Sequence, residues 1–283
     1  MTAGGQAASP VTAAFGRART EGRAALVGYL PAGYPTVDGA ARALEAMVEA
    51  GVDIVEVGLP YSDPLMDGPT IQQAVESALR SGTTTRDVLR TVQQVASSGT
   101  AVLVMSYWNP IERYGPERFA RDLASVGGAG VITPDLIPDE AGAWLPEARE
   151  HGLDSVFLVA PSSTEERIRL TVEACRGFVY AASTMGVTGT RAAVGTAAAM
   201  LVARTRSVTD LPVAVGLGVS SGDQAAEVAA FADGVIVGSA FVRLLLDAAD
   251  EASGVKAVAG LAAELAEGVR RRPGADREME ERS

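Results

Sequence analysis

The chain lacks the residue types on which most metal sites and nucleophilic triads depend. It contains one cysteine, Cys175, and one histidine, His151, among 283 residues. A lone cysteine cannot close an internal disulfide or supply a thiolate cluster, and we expect Cys175 to be a buried apolar residue of a helix. A lone histidine at the end of a polar helix is expected on the surface, so a Ser-His-Asp triad or a histidine metal site has no support. Proton transfer would have to use carboxylates and tyrosines.

Basic charge and long apolar runs are also scarce. The formal net charge is −11 and the pI is near 4.7, which argues against sequence-independent binding of nucleic acid or of an anionic membrane. No apolar run approaches the length of a membrane-spanning helix, and residues 1–6 lack the features of a secretory signal. We expect a cytoplasmic protein in a reducing compartment. Any phosphate that it binds should be held by local geometry rather than by a basic surface.

Apolar strands and helical segments alternate along the chain without a change in composition. Strands are predicted at 24–30, 51–58, 101–107, 130–133, 154–159, 177–182, 213–216 and 234–237. Helices are predicted at 11–20, 37–50, 70–80, 85–96, 116–126, 139–151, 164–174, 196–207, 221–230, 241–249 and 255–270. This order predicts a single (β/α)8 TIM barrel over residues 1–283, with an extra N-terminal helix and flexible ends at 1–10 and 271–283.

An open, doubly wound sheet is the structural alternative to the barrel. The first strand is not followed by the G-x-G-x-x-G turn that many such sheets carry. Two βα loops are unusually long, the second (59–69) and the sixth (183–191), whereas most βα loops take about two to six residues. Extended loops at the carboxyl ends of barrel strands indicate a working site there.

The acidic residues of interest lie in the loop at 59–69 and in the strand that precedes it. Glu56 lies near the end of an apolar strand, where partial burial would raise the pKa of its carboxyl group toward the range useful for proton transfer. Asp67 follows in the loop, directly before Gly68-Pro69, and could point over the same mouth. Asp63, between Ser62 and Pro64, is better explained as a turn residue.

Glycine turns follow the last two strands. Gly216-Leu217-Gly218 and Gly238-Ser239 each end a strand and precede a helix. Such turns let backbone N–H groups approach an oxyanion beside a helix N-terminus, and barrels often bind phosphate after strands seven and eight. Either turn alone is explained as an ordinary tight connection, but the pair favours a phosphate site.

Large apolar and aromatic side chains recur at the predicted strand ends. They are Tyr29, Met105, Tyr107, Leu136 and Tyr180. Each one alone is most simply a core residue. Grouped around the carboxylates, they indicate a flat hydrophobic ligand.

These motifs together are similar to those of one known family. The relevant segments are Val55-Glu56-Val57-Gly58, Pro60-Tyr61-Ser62-Asp63-Pro64-Leu65-Met66-Asp67-Gly68-Pro69, Leu30-Pro31-Ala32-Gly33-Tyr34-Pro35, Gly186-Val187-Thr188-Gly189, Gly216-Leu217-Gly218 and Gly238-Ser239-Ala240. In these segments the chain resembles the α subunit of tryptophan synthase, the indole-3-glycerol-phosphate lyase family. The resemblance extends over nearly the whole chain.

The resemblance implies cleavage of indole-3-glycerol phosphate to indole and glyceraldehyde 3-phosphate without a metal or organic cofactor in this chain. Glu56 matches the general acid/base of the family, and Asp67 matches the carboxylate that accepts the indole N–H. The other matching positions are Tyr29, Met105 and Tyr180 around the indole, Gly189, Gly218, Gly238 and Ser239 at the phosphate, and Thr188 in the closing sixth loop.

The resemblance also implies a partner, a β subunit that carries pyridoxal phosphate, in an α2β2 heterotetramer. Pro60, Tyr61 and Asp135 lie in segments that resemble the β-contacting surface. Three alternatives stay open at this point. They are a free-standing indole-3-glycerol-phosphate lyase, a catalytically silent barrel that binds phosphate and regulates a partner, and another phosphate-binding barrel such as an isomerase.

Overall fold

The computed structural model describes residues 8–182 and 191–271, with the side chains of 191–194 excepted. The described strands are all parallel and form one sheet, in the order β5-β4-β3-β2-β1-β9-β8-β7-β6. They are β1 Ala25–Pro31, β2 Ile54–Gly58, β3 Ala101–Met105, β4 Gly130–Ile132, β5 Asp154–Val156, β6 Leu158–Val159, β7 Val179–Ala182, β8 Val213–Gly216 and β9 Gly234–Val237.

The sheet closes on itself because its two outermost members are segments of one strand position. β5 pairs with β4 and β6 pairs with β7, and one residue, Phe157, separates the two segments. The carbonyl of Phe157 accepts from the N–H of Tyr180 at 3.2 Å, so the ladder to β7 starts at this residue. The strands therefore occupy eight positions of a closed (β/α)8 barrel, as the sequence predicts.

Helices surround this barrel. They are α1 Pro10–Thr20, α2 Val37–Glu49, α3 Pro69–Arg80, α4 Thr85–Ala96, α5 Trp108–Tyr114, α6 Pro116–Ser125, α7 Leu145–Glu150, α8 Glu165–Ala174, α9 Arg191–Arg206, α10 Gly222–Ala229, α11 Ser239–Asp247 and α12 Glu251–Arg270, with a short 3₁₀ helix at Pro138–Ala143. None of the described helices is both long and apolar enough to cross a membrane.

The strand side chains divide the core into two layers, since successive residues of a strand point to opposite faces. One layer fills the barrel interior and includes Val27, Ile54, Leu103, Ala214 and Ile236. The other lies between the strands and the surrounding helices. This alternation decides which side chains of each strand can reach the interior.

Helix α1 covers the amino-terminal end of the barrel. Its buried side chains are Val11, Ala14, Phe15 and Ala18, and the ring of Phe15 lies 5.4 Å from the ring of Phe178. The side chain of Ser9 accepts from the N–H of Thr12 and so caps the helix. With this end closed, the opposite, carboxyl-terminal end of the strands is the accessible mouth.

The predicted helices differ most from the structure at 108–114 and 139–151, and α9 and α12 begin at Arg191 and Glu251 rather than at 196 and 255. The third strand was predicted to extend to residue 107 but ends at Met105, and α5, which begins at Trp108, was not predicted. Pro110 lies in the first turn of α5, where a missing backbone N–H loses no intrahelical hydrogen bond. A single helix was predicted over 139–151, but the 3₁₀ helix and α7 are separate there. Pro146 near the start of α7 cannot donate a backbone hydrogen bond, which explains the break.

The prediction of flexible ends concerns residues that are for the most part not described. Residues 1–7 and 272–283 lie outside the described part of the chain, so their flexibility and the single-domain extent stay predictions. Ser9 and Pro10 belong to the cap and first turn of α1. The sixth loop, 183–190, is not described either, whereas the second loop spans 59–68 between β2 and α3, as predicted.

Candidate active site

The predicted acid, Glu56, and its neighbours on adjacent strands form the ring of inward-facing residues nearest the mouth. Glu56 pairs in register with Tyr29 on one side and with Leu103 on the other. By the two-residue period, Glu56 follows Ile54 into the interior, and Met105 follows Leu103. Tyr180 follows Phe178 in the same way, and both Met105 and Tyr180 pack against the interior core. The interior layer thus ends in a carboxyl group among aromatic and apolar side chains.

Glu56 is buried, and the described part of the chain gives its carboxyl group no partner. Its residue exposure is 1%, and neither carboxyl oxygen has a hydrogen-bond partner among the residues that the structure describes. Burial raises the pKa of its carboxyl group from 4.5 to about 8, because removal from water penalises the charged form. The sequence predicted partial burial at the strand end, whereas Glu56 is the middle residue of β2 and fully buried. It is therefore protonated at neutral pH.

Asp67 lies at the mouth, at the end of the second loop. Burial raises the pKa of its carboxyl group, and the hydroxyl of Tyr107, which donates to Oδ1 at 3.2 Å, acts in the opposite direction. The amide of Gln72 donates to the backbone carbonyl of Asp67 at 2.8 Å. Asp63, by contrast, is exposed, in agreement with the prediction of a turn residue.

Tyr29 joins the acidic part of the mouth to the glycine turns. It is 7% exposed, and burial followed by the carboxyl groups of Asp67 and Glu56 raises the pKa of its hydroxyl. A methyl carbon built on Gly58 would lie 2.4 Å from the Tyr29 hydroxyl oxygen, and one built on Gly238 would lie 3.1 Å from its ring. Glycine at these two positions therefore makes room for the tyrosine ring.

Tyr180 occupies the equivalent place on the other side of the barrel. Burial, and after it the carboxyl group of Glu56, raises the pKa of the Tyr180 hydroxyl. A methyl carbon built on Gly216 would lie 2.6 Å from the hydroxyl oxygen. Tyr29 and Tyr180 thus both lie near Glu56, as the grouping of aromatic residues predicts.

The predicted phosphate residues other than Gly189 lie at the ends of β8 and β9, which pair with each other, and β9 also pairs with β1. Gly218 has φ +64°, a left-handed conformation that glycine adopts at little cost. Gly238 precedes α11, whose N-terminus has no side-chain cap. Ser239 is exposed in the first turn. Backbone N–H groups of an uncapped first helical turn can receive an anion.

Tyr107 was noted in the sequence as an aromatic residue at a strand end but was not assigned to the site. Its hydroxyl accepts from the N–H of Met66 at 2.9 Å and donates to Asp67. The two-residue period from Met105 could have indicated its inward direction. Its contact with the loop could not be predicted, because that depends on how the loop folds.

The remaining predictions have mixed outcomes. Thr188 and Gly189 lie outside the described residues. Cys175 is buried as predicted, although it follows α8 rather than lying within it. His151 caps the C-terminus of α7 and is partly exposed. Leu136 is 4% exposed and belongs to the core between strands and helices.

A cavity of about 670 Å³ lies outside the barrel mouth, against the outer side of the second loop. It is lined in part by Pro60, Asp63, Thr84, Asn109 and Arg113. The nearby carboxylate of Asp135, the third residue with a predicted partner contact, accepts from the N–H of Trp108 at 2.9 and 3.1 Å. Asp135 thereby caps α5, and this contact occupies part of its hydrogen-bonding capacity.

The geometry suits proton transfer to and from the apolar part of a ligand that also carries an anionic group. A neutral acid lies at the bottom of the mouth, and a second carboxyl group lies above it. The glycine turns follow strands on the other side of Tyr29. Apolar and aromatic walls between them exclude water, which strengthens electrostatic interactions in the site.

Comparison with known families agrees with the resemblance seen in the sequence. Residues 15–270 match the family model described as tryptophan synthase alpha chain. The alpha chain of Acidothermus cellulolyticus is 60% identical over 260 residues, which cover 92% of this chain and 97% of the relative. That of Nocardia farcinica is 61% identical over 256 residues, covering 90% and 94%.

Solved structures show the same similarity. A chain of Mycobacterium tuberculosis tryptophan synthase in space group F222 superposes with a TM-score of 0.87 at 57% identity, covering 93% of this chain and 99% of that chain. The tryptophan synthase subunit alpha of Legionella pneumophila str. Paris gives a TM-score of 0.85 at 30% identity, with the same coverage. The arrangement of the barrel is thus shared with relatives whose sequences have diverged widely.

Proposed function

The chain belongs to the tryptophan synthase alpha chain family, and on that premise we propose that it cleaves indole-3-glycerol phosphate to indole and glyceraldehyde 3-phosphate. One observation carries the proposal. Glu56, a buried carboxyl group with a pKa of about 8 and no described partner, lies among apolar side chains in a mouth that also holds Asp67. An unpaired acid in such a place is costly to stability, which favours a role in chemistry.

Glu56 acts first as an acid and then as a base. Protonated at neutral pH, it donates its proton to C3 of the indole ring, and the ring nitrogen gains positive charge. The bond between C3 and the glycerol carbon then breaks, and its electron pair returns to the ring. The hydroxyl on that glycerol carbon becomes the aldehyde as its proton passes to the Glu56 carboxylate, so the starting state is restored.

Asp67 stabilises the intermediate charge. Its carboxylate accepts the indole N–H, and the interaction strengthens as positive charge develops on the nitrogen. This role needs the ionised form. The Tyr107 hydroxyl favours that form, because its hydrogen bond lowers the pKa that burial raises.

The glycine turns bind the phosphate. Backbone N–H groups at Gly218, Gly238 and Ser239 face an anion beside the uncapped start of α11, and Gly189 adds a contact from the sixth loop. Thr188 belongs to the loop segment that closes over the mouth and meets Asp67. Tyr29, Met105 and Tyr180 surround the indole.

The chain acts with a β subunit that holds pyridoxal phosphate and consumes indole, in an α2β2 assembly. The partner docks on the outer side of the second loop, over Pro60 and Tyr61 and the nearby cavity. Asp135 supports this surface through its hydrogen bonds to the start of α5. Docking there would act on the loop that carries Asp67.

The direct test is to assay the purified chain on indole-3-glycerol phosphate with and without a β subunit. We expect slow release of indole and glyceraldehyde 3-phosphate in equal amounts, and a large acceleration when the β subunit is added. Fast turnover of the isolated chain would favour a free-standing lyase. Substrate binding without cleavage under either condition would favour a regulatory barrel, and absence of both would contradict the proposal.

A further inference from the structure

Tyr107 holds the loop that carries Asp67 at more than one point. Its ring lies 5.4 Å from the ring of Tyr61, near the start of the loop. Its hydroxyl contacts Met66 and Asp67 at the end of the loop. We propose that Tyr107 is a positioning residue for the reaction, which fixes the second loop so that the Asp67 carboxylate stays at the mouth. The inference rests on the proposed function.

The backbone around Tyr107 is itself firmly held. Ser106 donates its N–H to Ile132 and its hydroxyl to the Tyr107 carbonyl at 2.8 Å. The following residue, Trp108, donates its N–H to the Asp135 carboxylate. Tyr107 is 5% exposed. The barrel therefore supplies a rigid support from which one side chain reaches the loop.

The hydrogen bonds of the Tyr107 hydroxyl have a defined direction. A backbone N–H can only donate, so the hydroxyl oxygen accepts from Met66 and its single hydrogen is free for Asp67. A donated hydrogen bond favours the carboxylate over the carboxylic acid. In agreement, this contact lowers the pKa of Asp67 against the effect of burial. Tyr107 thus sets both the place and the charge of Asp67.

The other described side-chain contact to Asp67 does not duplicate this role. Gln72 donates to the backbone carbonyl of Asp67, and it leaves the carboxyl group untouched. The Tyr107 hydroxyl is therefore the described group whose removal affects the carboxylate with little change in shape.

Tyr107→Phe tests the inference because it keeps the ring and removes the hydroxyl. A lost hydrogen bond to a charged group should lower kcat by about 10- to 100-fold. KM should change by less than about threefold, because the groups assigned to phosphate binding are untouched. The acid limb of the pH profile of kcat/KM should move to higher pH, as the pKa of Asp67 loses the contribution that lowers it. Thr205→Val, which removes a buried hydroxyl from α9, is the matched control. It should leave kcat, KM and the acid limb unchanged.

A double-mutant cycle separates positioning from a general loss of structure. In an Asp67→Asn background, Tyr107→Phe should lower kcat by less than about threefold, since the two residues act through one contact. Should the phenylalanine variant unfold, 3,5-difluorotyrosine at position 107 keeps the hydroxyl, makes it a stronger donor and should move the acid limb to lower pH.

The outcomes distinguish the two proposals. An active wild-type chain whose kcat and acid limb do not respond to these changes overturns the role of Tyr107 and leaves the proposed function standing. Full additivity with Asp67→Asn overturns it as well. A wild-type chain that does not cleave the substrate in either assembly state overturns the proposed function, and the inference with it.

Discussion

The carboxyl groups at the two ends of the barrel differ in whether they have hydrogen-bond partners. At the amino-terminal end, Asp53 forms a bidentate ion pair with Arg23, at 2.6 and 2.8 Å, and accepts from the N–H of Leu26. Asp154 is 1% exposed there and accepts from the hydroxyl of Ser9 at 2.5 Å. At the mouth, Glu56 is equally buried and has no described partner.

The difference separates stability from function. A buried carboxylate that is paired and hydrogen-bonded regains part of the interaction energy that it loses with water, and it connects neighbouring segments of the fold. An unpaired carboxyl group stays neutral at the cost of stability and keeps a proton available for a ligand. The acids at the closed end of the barrel therefore contribute to stability. The acid at the open end lowers stability, and we attribute its presence to function.

The largest expected effect comes from neutralising the acid at the mouth. Glu56→Gln should bind substrate but cleave it at least about 1,000-fold more slowly, because amides do not transfer protons in this way. Asp154→Asn makes the same chemical change at the closed end and should leave the kcat of folded protein within about threefold of wild type. Steady-state kinetics checks both. More than a tenth of wild-type activity in Glu56→Gln would remove that residue from the mechanism.

Breaking the ion pair between Asp53 and Arg23 at the closed end should lower stability and leave kcat unchanged. Asp53→Ala removes the bidentate partner of the buried Arg23 guanidinium, which keeps only Glu21 and the Ala24 carbonyl as described acceptors, and it removes the acceptor of the Leu26 N–H. The free energy of unfolding should therefore fall by about 3 kcal/mol. The kcat of the protein that remains folded should not change. Arg90→Ala, in an exposed pair with Asp38, should cost less than about 1 kcal/mol. Urea denaturation gives these values, and equal losses in the two variants would contradict the contrast.

A more gradual effect is expected in the pH dependence of stability. The pKa of Glu56 is about 8 in the folded chain, above its ordinary value of 4.5, so its neutral form stabilises the fold fully below that ordinary value. This contribution is lost as pH rises toward 8. Between these pH values, wild type should lose stability relative to Glu56→Gln by about 1.4 kcal/mol per pH unit. Unfolding curves for both proteins at several pH values measure the slope. Parallel pH dependences would show that Glu56 is not held neutral.

The barrel and the open end of this contrast could be predicted from the sequence, because they follow from local patterns, whereas the paired acids at the closed end were not predicted. The alternation of strands and helices predicted the barrel, and the position of Glu56 in an apolar strand predicted its raised pKa. The glycine turns after β8 and β9 were visible as residues. Each of these rests on neighbours in the chain.

The rest depended on contacts between distant segments. Helix α5 is capped by Asp135, 27 residues from Trp108, so its start carried no nearby signal. The contact of Tyr107 with Asp67 spans 40 residues and requires the folded loop. The complete burial of Glu56 likewise depends on the closed barrel, as its strand alone predicted a group at an opening.

The most direct test of the central contrast is to titrate Glu56 itself. Carbon-13 NMR of the glutamate side-chain carboxyl groups, assigned by the signal that Glu56→Gln removes, reports its ionisation without substrate. The account predicts that this signal titrates near pH 8, while wild type remains folded. A signal that titrates near 4.5, the ordinary value for glutamate, would show that the carboxyl group is hydrated or paired, and would contradict the account.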